Sequence, residues 1–388
     1  TAPSDWRYRT EGGAHLIFTY AGSSPSFSGR VLRIRKPTSP MDAHEAAGIL
    51  WKEKLLPKLI SSSLLLGSKA VDLDTEWVKT LLGEAEGARP RSRRQGAGSL
   101  SDAITGPVKA SIMDDTTAVG NSDTETILSI EIKPKWGFLP RAEFVTPPEA
   151  VSIKSQIPRY VLHRHYKNEP IEDAYNPQDL FSGEEERVKK ASEDLWRIWE
   201  TSDGMKNNWR IYVNGQVIKP GQADRIPLAR DSTDAATRTL PLVIPQLLSS
   251  GVFAELKQLQ STLDPIDIST LATRFQHAYP KDALFDPALI TEPDSTELEE
   301  FVEKYLENPS RGVEKAGWTL REHMIAYALS AIFKDCSIFV SIPLVKVGDE
   351  WTVKPGTKVK IIDLDLKDVK NLGKWHDLDR AIWQHWLE

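Results

Sequence analysis

Three short stretches of this chain carry charges at spacings that could do chemistry. In Thr126-Ile-Leu-Ser-Ile-Glu-Ile-Lys-Pro-Lys135, the residues Leu128, Ile130 and Ile132 alternate with Ser129, Glu131 and Lys133. That period predicts a half-buried strand with an ionic side that continues to Lys135. In Val359 to Lys367, Ile362, Leu364 and Leu366 fall on one face and Asp363, Asp365 and Lys367 on the other. Asp335 stands between a helical pattern and the apolar run Ile338 to Ile342. Carboxylates supply the hard oxygens that Mg²⁺ prefers, and lysines neutralise phosphate, so the combination suits a metal-phosphate site. Taken singly, each stretch could equally be a solvated strand whose charges compensate one another. Their order, behind a Gly/Ser-rich hairpin, is that of a kinase-like site: a hairpin over phosphates, a lysine, a base and a metal carboxylate.

The elements that must hold these groups follow from periodicity. His15 to Tyr20 and Arg30 to Lys36 read as two strands joined by Ala-Gly-Ser-Ser-Pro-Ser-Phe-Ser-Gly29, with Leu32 and Ile34 on one face and Val31, Arg33 and Arg35 on the other. A helix is expected from about Ala43 to Leu59. The Gly/Pro/Ser/Arg-rich stretch from about Glu84 to Ser101 predicts a mobile basic loop. Ser182 with Glu185, and Thr319 with Glu322, have the spacing of capping boxes opening amphipathic helices. Arg159, His163 and Lys167 would share one face if that stretch is helical. Asn207 and Asn208 suit a turn before a strand from Arg210 to Val213. Strands, then helices, then strands again make the fold class α+β.

With 388 residues, 40% hydrophobic and 27% charged, the chain can bury a large core. The net charge of −6 argues against nucleic acid as a partner. Neither a basic amphipathic helix nor an apolar run of membrane-spanning length is apparent, so no membrane partner is expected. The first residues lack the apolar core of a signal peptide. Cys336 is the single cysteine, which excludes an internal disulfide and suggests a reducing nuclear or cytoplasmic compartment. Gly-x-x-x-x-Gly-Lys-[Ser/Thr], His-Arg-Asp, Asp-Phe-Gly and Gly-x-Ser-x-Gly are all missing, so neither a P-loop NTPase, a protein kinase nor a serine hydrolase is supported.

The stretch Glu131-Ile-Lys-Pro-Lys-Trp-Gly-Phe-Leu-Pro140 closely resembles the signature of the inositol-pentakisphosphate 2-kinases. Gly12-Gly-Ala-His-Leu-Ile-Phe-Thr-Tyr20 and the following hairpin resemble that family's nucleotide cover. Tyr175-Asn-Pro-Gln-Asp-Leu-Phe-Ser-Gly183, Lys206-Asn-Asn-Trp-Arg-Ile-Tyr-Val-Asn-Gly215, Lys334-Asp-Cys-Ser337 and Ile362-Asp-Leu-Asp-Leu-Lys367 complete the series in the family's order, over nearly the whole chain. The resemblance implies a two-lobed inositol polyphosphate kinase-like fold distantly similar to protein kinases. Its N-terminal lobe would span 1–120 and its C-terminal lobe, with the inositol phosphate and metal sites, 121–388. It implies Mg-ATP-dependent phosphorylation of the 2-hydroxyl of inositol 1,3,4,5,6-pentakisphosphate by a monomer. Gly12, Gly13, Ala14, Arg33 and Lys133 would contact the nucleotide. Asp335 would be the base or a metal-linked carboxylate, Asp363 the Mg²⁺ ligand, and Lys133 a catalytic lysine. Lys135, Lys167, Asn208, Arg210 and Lys367 would hold inositol phosphates, supported by Asn207 or Glu131.

Two departures from the family pattern bear on these expectations. Plant members carry a Cys/His zinc site, but here Cys336 stands alone and His277 has no partner residues in sequence, so no zinc is expected. Arginines of the family are replaced near Leu73-Asp74 and at Asn371, leaving Arg89, Arg91, Arg93 or Arg94, and Lys370 or Lys374, as candidate substitutes. The alternative reading is a polyphosphate-binding scaffold with weak or no kinase activity. Retention of Lys133, Asp335 and Asp363 together weighs against it.

Overall fold

The computed structural model describes residues 1–12, 15–36, 43–94, 100–118, 123–307 and 317–388. Gly13, Ala14 and the end of the basic stretch, 95–99, lie outside the described residues. The chain is α+β, built on two antiparallel sheets. The first contains β1 (Trp6–Glu11), β2 (His15–Tyr20), β3 (Arg30–Arg35), β4 (Ser68–Leu73) and β5 (Val108–Asp114), in the order β1-β2-β3-β5-β4. Alternation decides which face is covered. Leu16, Phe18, Leu32 and Ile34 are buried together with Val78, Leu81 and Leu82 of the Thr75–Ala85 helix. Arg33 is thereby left on the opposite face. The Asp74 carboxylate caps that helix by accepting the Glu76 and Trp77 amides.

The second sheet contains β6 (Glu125–Ile132), β7 (Trp209–Val213), β8 (Gln216–Ile218), β9 (Ser337–Val347), β10 (Glu350–Val353) and β11 (Lys358–Ile362). Its order is β10-β9-β6-β7-β8, with β11 also paired to β9. β6 is thus a central strand and not the half-buried one its alternation suggested. Residues 128–132 are buried on both faces, including Ser129 and Glu131. The second face is covered by the connector between the sheets. Thr116 accepts hydrogen bonds from Ser129 Oγ (2.6 Å) and from Ser341 Oγ, and Asp115 is held by Arg9 at 2.6 Å.

The run from Ala43 to Leu59 is helical as expected, though its middle, Trp51–Leu55, is a π-turn. Ala47, Trp51, Leu55, Leu56 and Ile60 pack into the core of the second sheet. A division of the chain at residue 120 therefore does not follow the packing. Residues 43–64 leave the first sheet because their apolar face is completed only by the second.

Two local expectations are corrected. Ser182 does not cap the next helix, Glu185–Thr201, whose N-cap is Glu184. Ser182 Oγ instead donates to the Asp179 carbonyl at 2.7 Å and accepts the Glu184 amide at 3.1 Å. The basic stretch is also more structured than its composition implied. Arg89 is 4% exposed, paired with Glu11 and Glu86 at 3.0 and 2.8 Å, and Arg94 donates to the Arg89 carbonyl. A buried carboxylate orders an arginine that composition alone assigns to solvent. By contrast, the Thr319–Glu322 box forms in full and opens the Leu320–Lys334 helix.

Candidate active site

The register of three strands brings the charged segments together. Ile338 of β9 lies opposite Ile132 of β6 on one side and Ile361 of β11 on the other. The residues just after β6, just before β9 and just after β11 therefore share one edge of the sheet. They are Lys133 to Lys135, Asp335, and Asp363 to Lys367.

Regular strand ends before Lys133 and before Asp363, so parity does not place those residues or the charges that follow them. β6 stops at Ile132 and β11 at Ile362, while Lys135 and Asp363 have φ of 62° and 63°. Those left-handed residues turn the chain out of the sheet. Lys135 and Asp363 thus converge on Asp335 through turns, not through the alternation of a strand.

Lys367 Nζ lies 2.9 Å from Asp335 Oδ2, and Lys135 Nζ 3.8 Å from Asp335 Oδ1. Lys133 Nζ is 4.0 Å from Asp363 Oδ2. Both carboxylates lie among these charged side chains yet keep an open side, with side-chain exposures of 57% and 56%. Burial alone would raise the Asp335 carboxyl, but Lys367, Lys135 and Lys133 outweigh it and hold the group below its ordinary value. Asp363 goes the other way. Burial raises it, Lys133 opposes, and Glu131 and Asp365 add like charge. For Lys135, burial lowers the ammonium, Asp335 counters, and Lys133, Lys167 and Lys367 lower it further. A cluster of mutually repelling cations around one carboxylate is poised to take up a polyanion.

The loop bearing Asp365 is fastened from distant elements. Trp51 Nε1 donates to the Leu364 carbonyl at 2.7 Å, and Lys52 Nζ pairs with Asp365 at 2.6 Å. Arg33 of β3 also binds Asp365 and donates to His15 Nδ1 at 3.0 Å, bringing the first sheet to the site. A guanidinium only donates, so Nδ1 is the acceptor. Burial and the neighbouring Arg33 push the His15 imidazole down to about 3, so it is neutral at physiological pH. For Asp365, burial is outweighed by Arg33 and Lys52, which keep it well below the carboxylate range.

The other expected site residues differ in exposure and in the partners they hold. Glu131 is buried, accepting from Tyr212 at 2.8 Å and Ser337 at 2.9 Å, and lies 3.7 Å from Arg210, so it braces Arg210 from within the sheet. Asn208 is buried as well. Its Nδ2 donates to the Lys133 carbonyl at 3.1 Å and its carbonyl accepts the Lys133 amide at 3.0 Å, which fixes the backbone of that lysine. Asn207 and Lys167 are exposed, Lys167 at the end of the Arg159–Tyr166 helix. Arg159 does not join that helix's outward face: its Nε lies 3.2 Å from Asp379 and its guanidinium packs over Trp136. Gly12 accepts from Lys36 Nζ at 2.8 Å, closing the tip of the first hairpin.

Sequence reasoning missed Trp51 and Lys52. Their partner, the 364–365 loop, is more than 300 residues away, and in a helical run they read as core and solvated face. Among the described residues no group of three or more His, Cys, Asp or Glu is gathered as a metal site. Asp363 nevertheless fits a hard cation. It is an open carboxylate, raised by burial and by like charge, with Lys133 no nearer than 4.0 Å.

Comparison with known proteins gives a consistent neighbourhood. The family model described as inositol-pentakisphosphate 2-kinase matches residues 8–381. An inositol-pentakisphosphate 2-kinase of Cryptococcus neoformans var. neoformans serotype D is 42% identical over 395 residues, covering 100% of this chain and 94% of that protein. One of Arabidopsis thaliana is 30% identical over 445 residues, covering 98% and 92%. One of Oryza sativa subsp. japonica is 28% identical over 432 residues, covering 97% and 92%.

Proposed function

The chain belongs to the inositol-pentakisphosphate 2-kinase family, and from that premise we propose how its site works. The enzyme phosphorylates the 2-hydroxyl of inositol 1,3,4,5,6-pentakisphosphate, giving the hexakisphosphate, with ATP as donor. The observation that carries the mechanism is the Asp335 carboxylate set against Lys367 and Lys135, beside the Lys133–Asp363 pair.

Asp335 takes the proton of the acceptor hydroxyl as that oxygen bonds to the γ-phosphorus and the bond to the ADP oxygen breaks. A carboxylate held below its ordinary pKa is a weak base, but its two lysines are the cations that substrate phosphates attract. Drawn onto phosphates, they release Asp335 and raise its basicity at the moment substrate is seated. Lys135, Lys367, Lys167 and Arg210 neutralise the inositol phosphates, each of which carries about one to two negative charges. Lys133, fixed by Asn208, and Arg33 serve the nucleotide phosphates, with Gly12 at the covering hairpin. Asp363 would hold Mg²⁺, leaving Asp335 free as the base, and the ion would supply neutralisation of charge on the transferring phosphoryl group. The five-stranded sheet facing the six-stranded one is read as the two-lobed, kinase-like arrangement that such a reaction uses.

Incubation with Mg-ATP and the pentakisphosphate should yield hexakisphosphate, seen by phosphorus NMR as a new resonance at the 2-position. Binding without conversion would make the protein a polyphosphate scaffold instead. Lys135→Ala should weaken pentakisphosphate binding by about 1.5–3 kcal/mol, the size of a lost charged hydrogen bond. Calorimetry measures this directly, and unchanged affinity would remove Lys135 from the phosphate site.

A further inference from the structure

Gln260, on the Val252–Thr262 helix, lies far in sequence from every group of the site, yet it is completely buried and its carboxamide is fully engaged. Nε2 donates to the Lys135 carbonyl at 3.0 Å and to the Phe333 carbonyl at 2.8 Å, while Oε1 accepts the Gly137 amide at 2.7 Å. The backbone carbonyl of Gln260 also accepts from Ser330 Oγ, at 2.8 Å, on the helix that ends beside Asp335. One side chain therefore joins the turn that presents Lys135 to the helix end that presents Asp335. Lys334 reinforces the junction from the adjacent position. Its ammonium is 2.6 Å from Asp264 and 4.0 Å from the centre of the Trp136 ring.

We propose that Gln260 is a positioning residue for phosphoryl transfer, setting the Lys135 ammonium opposite the Asp335 carboxylate. This rests on the kinase reading above. The physical need is clear at Lys135, whose φ of 62° is unfavourable for a side chain with a Cβ and persists only if its surroundings impose it. A glutamine meets the geometry because it alone offers two amide donors and an acceptor at this reach. Glutamate in its ionised form cannot donate to either carbonyl, asparagine is one methylene short, and methionine matches the length with no hydrogen bonds. Gly137 belongs to the same device. A Cβ there would lie 2.4 Å from the Phe181 ring, so the turn whose amide donates to Gln260 packs against Phe181 only without a side chain.

The test is Gln260→Met, with melting temperature and steady-state kinetics measured on the same preparation. The separate lysines can still reach phosphates, so KM for the pentakisphosphate should change by less than about threefold, whereas kcat of the folded enzyme should fall roughly 10- to 100-fold. Gln260→Glu supplies a rescue. Burial between two carbonyls raises its carboxyl pKa, and the neutral acid regains a donor. Its kcat, as a ratio to the parent so that titration of Asp335 and its lysines cancels, should recover as pH falls. A purely structural role would shift the melting temperature and leave that ratio flat. A Gln260→Met kcat within about twofold of the parent overturns the proposal. If that variant does not fold, the Gln260→Glu series decides alone, a flat ratio being the overturning result. A parent enzyme that does not turn over the pentakisphosphate overturns the kinase reading and this proposal with it, an outcome distinct from an active parent with an unaffected variant.

Discussion

Asp335→Asn is expected to stop phosphoryl transfer while pentakisphosphate affinity holds or improves. The amide keeps the volume of the carboxylate and the backbone of the helix C-cap, where Asp335 donates its N–H to the Ile332 carbonyl. On the proposed mechanism it loses the proton acceptor, and with it one negative charge. General-base contributions are about 10²- to 10⁴-fold, so single-turnover rates should fall by that range. Affinity should move the other way for an electrostatic reason. Lys367, now 2.9 Å from Asp335, and Lys135, at 3.8 Å, would be released to the substrate. A carboxylate that repels a polyanion would also be gone. Calorimetry and rapid-quench kinetics read the two effects separately. Near-normal turnover would take Asp335 out of the mechanism and turn attention to Asp363 or Asp365.

Asp363→Asn should cost about 10²- to 10³-fold in turnover, corresponding to several kcal/mol of lost metal-assisted stabilisation, and should raise the Mg²⁺ concentration needed for half-maximal rate. Asparagine is the informative replacement because Asp363 sits at φ 63°. Asparagine tolerates the left-handed region, so the loop should keep its course, whereas alanine there adds backbone strain to the loss of charge. The loop is further secured by Trp51 to Leu364 and by Lys52 to Asp365, contacts that do not involve the 363 side chain. Unfolding in urea should accordingly change little for Asp363→Asn. An unaltered Mg²⁺ dependence would show that the ion is held elsewhere.

The sequence by itself determined the chemistry available and its order along the chain. Lys133, Lys135, Asp335, Asp363 and Lys367 are identifiable from residue type, from the apolar runs that precede them and from family resemblance, because these are local properties. The apolar alternation of β2 and β3 likewise told that Arg33 would be turned away from the core beneath its sheet. Long-range pairing could not be read in this way. Periodicity does not say whether a strand lies at an edge or in the centre, so Glu131 read as part of a half-exposed ionic face, whereas β7 and β9 enclose it and its carboxylate goes to Tyr212 and Ser337. Nor does composition reveal that Glu11 buries Arg89 and so removes it from the pool of free arginines. The left-handed turns at Lys135 and Asp363 pack beside residues more than 100 positions away: Gln260 behind the first, Trp51 and Lys52 holding the loop that follows the second. Residue types fixed which charges are available; the register of β6, β9 and β11 decided that they are gathered at one place, since strand pairing is a property of the folded chain and not of any segment.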